Sequence, residues 1–372
     1  MDSEADVLRQ AGHDVHQLIK SNPTNDVAAF GALLVAPWNP RAPGLVGQIV
    51  DEIEPDVTHV HNTWFAFTPA ILRTLRKRHV PVVLTLHNYR LTCSNALLLR
   101  DGAPCELCVG ASPWHAVRYG CYRDSRIASV PAAATIHLHR LLGTWVNDVD
   151  AFIALTEMQR HIMVRAGLPE GKIVVKPHFV SDPGVRMTSP SESNVILYAG
   201  RLSEEKGVRL LLDAWRDASP PDLELLIAGD GPERASLEQE LPTRARMVGH
   251  LPSTELAGVM LEARAMIMPS LWYEGFPRVL VEAFSAGLPT AVSDGGGPAE
   301  IVSQALGSRW LFRSRDRPAL NEILQTMADD DWCDSSGLMA RQAFEKSFSR
   351  DQAADRLVQI YSNARSAGPS VN

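Results

Sequence analysis

The chain has 372 residues, too many for one hydrophobic core, so two domains are expected. Apolar residues make up 45% and charged residues 21%, and 36 basic against 43 acidic side chains leave a net charge of −7. That charge argues against nucleic acid as the main partner. The lack of an apolar run of about 18 residues argues against a membrane span, and five cysteines behind an acidic, polar start (MDSEADVLRQ) point to a reducing cytosol.

In chain order, VTHVH (57–61), PVVLTLH (81–87), AFIAL (151–155) and KIVVK (172–176) read as strands. Helical stretches separate them, among them FTPAILRTLRKRH (67–79) and TEMQRHIMVRAG (156–167), the latter with Thr156 as N-cap and Gly167 as C-cap. Between the second and third strands lies a cysteine group. Cys105 and Cys108 are spaced C-x2-C, Cys93 lies 12 residues before the pair and Cys121 13 after it. Four thiolates at this spacing suit a structural zinc that staples the loop 88–124; the alternative is four separate reduced thiols. The segment SVPAAATIHLHRLLGTW (129–145) carries only Arg140 and two histidines as basic groups. A helix packed on the first sheet fits it better than a membrane-surface helix.

A Ser- and Pro-rich break, SDPGVRMTSPSES (181–193), reads as an interdomain linker. A second alternating series follows: NVILYAG, LELLIAG, ARMVGH, RAMIMPS and LPTAVSD, each leading into a helical segment. The runs are continuous rather than alternating in polarity, as in parallel strands buried on both faces. Two doubly wound Rossmann-like α/β domains facing a cleft are the expected architecture, with chemistry at the carboxyl ends of the strands.

Those ends carry distinctive residues. Gly200, Arg201 and Lys206 follow the first strand of the second half, and two cations beside a helix N-terminus suit a diphosphate. The alternative is a solvated charge cluster with Glu204 and Glu205. Gly229 and Gly231 permit a tight turn and close ligand approach. Backbone groups from Val248 through His250 to Leu251 are positioned to read a base edge, and Ser253 or Thr254 is placed to cap the next helix. The stretch WYEGFPRVLVE (272–282) sets Glu274 and Gly275 in a loop and Pro277 in the first turn of a helix. Glu282 lies inside that helix, roughly 7–8 Å along its axis. Val279, Leu280, Ala283 and Phe284 form the expected buried stripe, with Glu282 at its border. A carboxylate there suits a ligand with vicinal hydroxyls; an exposed glutamate is the plainer reading. GGGPAE (295–300) again puts glycines ahead of a helix, with Glu300 one turn in.

Together GRLSEEKG, IAGDGP, PSLWYEGFPRVLVEAFSAGLPTAVSDGGGPAE and the earlier LTLHNYRLTCSNALLLRDGAPCELC resemble retaining glycosyltransferases of family 4 with the GT-B fold. The resemblance covers nearly the whole chain. It implies domains at 1–182 (acceptor side) and 194–346 (nucleotide-sugar side), joined by 183–193, with a last helix at 347–372 returning to the first. It implies that Arg201 and Lys206 hold the donor diphosphate, with backbone N–H groups near Phe276 to Val279, around Pro277 and Arg278, adding to the cradle. Glu282 would bind the ribose hydroxyls. Glu274 would contact the donor sugar at the reacting face, and His87 would reach that sugar from the first domain. No catalytic metal or cofactor is implied; the donor is a nucleotide-diphospho-sugar. The acceptor is a glycan, lipid-linked or small-molecule hydroxyl, in polysaccharide or glycoconjugate synthesis. A cytoplasmic enzyme is expected, with peripheral contact at the inner membrane face as a variant of that reading.

One departure stands out. Family members open with a buried strand and a glycine-rich turn, whereas EADVLRQAGHDVHQLI begins in the helix after that turn and runs into the strand beyond it. The alternatives to a transferase are a GT-B nucleotide-sugar epimerase, which the Glu-x7-Glu stretch argues against, and a non-catalytic nucleotide-sugar binder.

Overall fold

The computed structural model describes residues 2–22, 31–64, 66–218, 220 and 222–367. They form two compact units. The first holds residues up to Arg100, Cys105–Lys176 and those from Ala353 onward; the second holds Asp101–Pro104 and Pro177–Gln352.

The first unit has a four-stranded parallel sheet of β1 (Thr58–Val60), β2 (Val82–Thr85), β3 (Ala151–Ala154) and β4 (Ile173–Val175), in the order β1-β2-β3-β4. The two central strands are buried at every position, which is why their sequences are apolar but for Thr85, whose hydroxyl meets His59. Asp150 anchors the start of β2 by accepting the Val82 N–H at 2.8 Å while pairing with Arg76. The helix Glu157–Arg165 starts on Thr156, whose side chain accepts the Gln159 N–H, and Gly167 follows it with a left-handed φ of 99°. The last helix, Arg350–Ala367, sets Leu357, Ile360 and Ala364 against Leu8, Val83 and Ile153.

The amino-terminal segment corrects one expectation. Asp2–Gln10 is helical, but DVHQLI forms no strand. A strand needs a ladder partner about 4.8 Å away. Here a cavity of about 450 Å³ separates Val15 and Ile19 from the open edge of β1 at Val57, His59 and His61.

The second unit has a six-stranded parallel sheet. Its strands are β5 (Val195–Ala199), β6 (Glu224–Ala228), β7 (Ala245–Gly249), β8 (Ala265–Met268), β9 (Thr290–Ser293) and β10 (Leu311–Phe312), in the order β10-β9-β8-β5-β6-β7. Strand β10 is too short to show a period, and the sequence reading passed over it. The buried faces of β5, β6, β8 and β9 share one core with Trp215, Phe284 and Trp310. The segment 181–193 is tied into this unit: Asp182 forms a two-pronged pair with Arg341, and Ser191 hydrogen-bonds Asp334 through both N–H and hydroxyl. The helix Ser253–Glu262 begins at Pro252 without a side-chain cap, so Ser253 and Thr254 lie within the helix rather than capping it.

Candidate active site

Strands β5, β6 and β7 run outward in one direction, and the chain then crosses back so that β8 pairs with the other side of β5. The strand order reverses between β5 and β8. The loops leaving their carboxyl ends must diverge there and open a crevice, the place where ligands bind in open parallel sheets. The loop after β5 is Gly200–Gly207, and the loop after β8 is Pro269–Pro277.

These two loops meet through charge. Lys206 Nζ contacts Glu274 Oε1 at 2.5 Å, and the other carboxylate oxygen accepts the Ser270 hydroxyl at 3.0 Å. The Lys206 ammonium also lies 5.7 Å from the Trp272 ring centroid. Glu274 is buried, only 7% exposed, so its charge is stabilised by Lys206 and Ser270 rather than by water. Sequence reading placed Lys206 and Glu274 but missed Ser270; its signal was its position four residues before the glutamate at a strand end.

Backbone hydrogen bonds stitch five strand-end turns into one floor. Gly229 N–H donates to Gly249 O, Gly200 N–H to Ala228 O, and Leu202 N–H to Asp230 O; Leu271 N–H donates to Glu205 O and Gly297 N–H to Glu274 O, all within 2.7–3.0 Å. Two glycines are obligatory here. A Cβ on Gly229 would stand 1.8 Å from Gly200 O, and one on Gly207, at φ 69°, 2.1 Å from Pro269 O. Gly231 packs against Leu202 O in the same way, at 2.3 Å.

The helix Arg278–Ser285 starts after Pro277, which stands at the N-cap with extended backbone and no capping side chain. Its first N–H groups carry the positive end of the helix dipole and have no side-chain acceptor. Leu280, Val281, Ala283 and Phe284 are buried, while Val279 and Phe276 are half-buried. Phe276 packs edge-on against His178, a neighbour that sequence reading did not single out. Glu282 is half-buried; burial pushes its carboxyl above the usual range, against the pull of Arg278 3.9 Å away. Gly275 is buried, and Arg201 and His250 are exposed, with Leu251 half-buried between His250 and the next helix. Arg201 has no ion pair among the described residues.

His87 belongs to the first unit and ends a chain of polar contacts there. Its Nε2 lies 3.0 Å from His61 Nδ1, and the two rings stack. His59 meets Tyr361 Oη at 2.8 Å and Thr85 Oγ1 at 2.7 Å. Loss of solvent holds His87 below the ordinary histidine range, holds His61 at about 4 and drives His59 well below that ordinary range. Glu4, His59 and His61 come close enough to suggest a metal. The donor set does not fit one: Glu4 already binds the Lys176 ammonium at 2.7 Å, and both His59 nitrogens are engaged.

Two α/β units with parallel sheets, one carrying a charged pair and a glycine-built floor at its switch point, are the architecture of the GT-B class. The family comparisons agree. Residues 2–182 match "Glycosyltransferase Family 4" and residues 186–346 match "Glycosyl transferases group 1", so the chain belongs to glycosyltransferase family 4. A curated relative is the gpi3 subunit of phosphatidylinositol N-acetylglucosaminyltransferase from Schizosaccharomyces pombe, 26% identical over 64% of this chain. The chain spans about half the length of that relative, 52%. Among solved structures, the sucrose-phosphate synthase of Thermosynechococcus elongatus superposes with a TM-score of 0.66 at 19% identity, covering 88% of this chain and 78% of its own. Anabaena HepE, solved with UDP, superposes with a TM-score of 0.62 at 19% identity, covering 86% and 82%. Among the described residues no helix is long and apolar enough to cross a membrane.

Proposed function

We propose that this chain transfers a sugar from a nucleotide-diphospho-sugar to an acceptor hydroxyl with retention of the anomeric configuration and without a catalytic metal. The observation that carries the reading is the Lys206–Glu274 pair at the β5/β8 switch point. A cation and a buried carboxylate side by side suit the two ends of a sugar–phosphate bond: Lys206 takes the phosphate, and Glu274 accepts hydrogen bonds from sugar hydroxyls.

The other donor contacts follow from the same floor. Arg201, exposed and without an ion pair among the described residues, adds a second cation for the diphosphate, and the uncapped N–H groups after Pro277 add a third seat for negative charge. Glu282 binds the ribose hydroxyls, which would relieve its costly half-buried charge. Backbone at His250 and Leu251 reads the base. In the reaction the acceptor oxygen bonds to the anomeric carbon as the bond from that carbon to the phosphate oxygen breaks. The acceptor proton passes to the departing phosphate, and Lys206 and Arg201 stabilise the developing charge. UDP in the Anabaena relative supports a uridine donor as the first to try.

The test is a panel of nucleotide-sugars read by thermal shift and then by turnover with alcohol acceptors. Arg201→Ala, Lys206→Ala and Glu282→Ala should each cut donor turnover strongly in folded protein. Near wild-type turnover in all three overturns the reading, and donor binding without glycoside product would make the chain a binder only.

A further inference from the structure

The loop after β2 has little regular structure, only the short helix His115–Tyr119 and two-residue strands, yet it is held in detail. Thr92 Oγ1 donates to Cys108 O at 3.0 Å. Arg140 reaches Cys108 O, Ala111 O and Thr92 Oγ1, and Cys121 N–H donates to Ala116 O at 2.9 Å. Five non-glycine residues in it, Ala96, Leu98, Asp101, Arg123 and Asp124, take left-handed backbone at φ 50–68°. Such strain persists only where the surroundings over-determine the conformation.

Four cysteines converge in this loop. Cys108 has Cys93, Cys121 and Cys105 as charge-coupled neighbours, and no disulfide joins any of the five cysteines. As free thiols they resist ionisation: burial pushes Cys93 up and Cys108 up to about 12, while backbone N–H groups of Leu98, Asn95 and Ala96 at Cys93 and of Ala116 at Cys108 pull the other way, and the Cys93 thiol donates to Asn95 Oδ1 at 2.9 Å. Two guanidiniums face the group. Arg90 is packed over Trp64 and Tyr122 beside Cys93, and Arg140 lies beside Cys108. Neither has a carboxylate partner among the described residues; Arg90 donates to Ser94 O and Arg140 to carbonyls and the Thr92 hydroxyl. Two part-buried cations whose acidic neighbours are thiols and a tyrosine need a counter-charge.

We propose that Cys93, Cys105, Cys108 and Cys121 bind one structural zinc ion as a closed tetrathiolate, with Arg90 and Arg140 balancing its net charge of −2. Zinc–sulfur bonds of about 2.3 Å require sulfurs about 3.8 Å apart. No three of these sulfurs lie within 4.8 Å of one another, so the loop tightens on loading. Binding releases the thiol protons to solvent and fixes the segment that follows His87.

The experiment is elemental analysis of the full chain, purified without chelator, beside cobalt substitution. About one zinc per chain is expected, together with the visible bands of tetrahedral cobalt–thiolate. Cys105→Ser and Cys108→Ser should each lower zinc content at least about fivefold. Cys333→Ser, in the core of the other unit, should keep it. Both readouts report metal rather than turnover, so they stand apart from the transferase reading. Less than about 0.1 zinc per chain after reduction and zinc addition, iron absorption in place of zinc, or native protein lighter by the four hydrogens of two disulfides each overturns the proposal.

Discussion

Lys206 and Glu274 show why one ion pair can serve both fold and chemistry. Glu274 is buried, so removing Lys206 strands a carboxylate away from water, while removing both charges strands nothing. Lys206→Met alone should therefore lower unfolding stability by roughly 2–4 kcal/mol, Glu274→Gln by less, and the double variant should recover most of the loss. All three should have donor turnover cut by about 100-fold or more: Lys206→Met and the double variant lose the charge that faces the phosphate, and Glu274→Gln loses the carboxylate that holds the sugar hydroxyls. Denaturant unfolding and kinetics on the same preparations separate the two effects; a double variant as unstable as Lys206→Met would mean the pair is not coupled. Glu282 is the contrasting case. Its carboxylate gains nothing from the protein beyond a distant Arg278, so Glu282→Ala should leave stability unchanged or slightly raised. Its effect should fall on donor affinity, with KM raised about 10- to 100-fold, the size of a lost hydrogen bond to a charged group.

At the scale of elements, the site is a set of turns that must touch. Gly229→Ala and Gly207→Ala each drive a methyl into a carbonyl of the neighbouring turn, and neither carbonyl can move without breaking the floor. Each should cost about 2–4 kcal/mol and weaken nucleotide-sugar binding. Gly258→Ala, inside the helix Ser253–Glu262 with nothing within 4 Å of the new Cβ, should instead be neutral or stabilising by up to ~1 kcal/mol. Melting curves of the three variants give the ranking directly. This contrast marks how far the sequence could be read. Strands β5, β6, β8 and β9 were legible because a strand buried on both faces must be apolar at every position, and the glycines were visible because they punctuate those runs. Which carbonyl each glycine meets was not legible, because Gly200 and Gly229 are brought together by sheet pairing and not by any local rule. Ser270 escaped for the same reason: its partner Glu274 declares itself only once the loop after β8 is folded. The strand expected at DVHQLI failed because alternation alone does not supply a ladder partner.

At the scale of the whole molecule, the two units should answer pH differently. His61 and His139 are held at about 4 by burial, His59 and His87 are also held below their ordinary value, and all four belong to the first unit. Unfolded, each takes a proton near pH 6.5. Between pH 6.5 and about 4 the unfolded chain therefore binds protons that the fold refuses, so stability is full above 6.5 and falls as pH falls, by up to about 1.4 kcal/mol per pH unit for each such group. Glu4 extends the decline. Burial alone would raise its pKa, but the Lys176 ammonium brings it down to about 2, so its share is present above 4.5 and is lost as pH drops from 4.5 toward 2. The first unit should lose its melting point in two stages, first through histidine protonation and then through loss of the Glu4–Lys176 pair. His61→Asn should flatten the first stage and leave the second, while Glu4→Gln should lower stability already at pH 7 because Lys176 is then buried without its partner. Circular dichroism melts on the parent and both variants, from about pH 7.5 down to about pH 2 so that both stages are covered, test this. A parent midpoint constant from pH 7 to 5 would mean that these histidines are not held neutral by the fold.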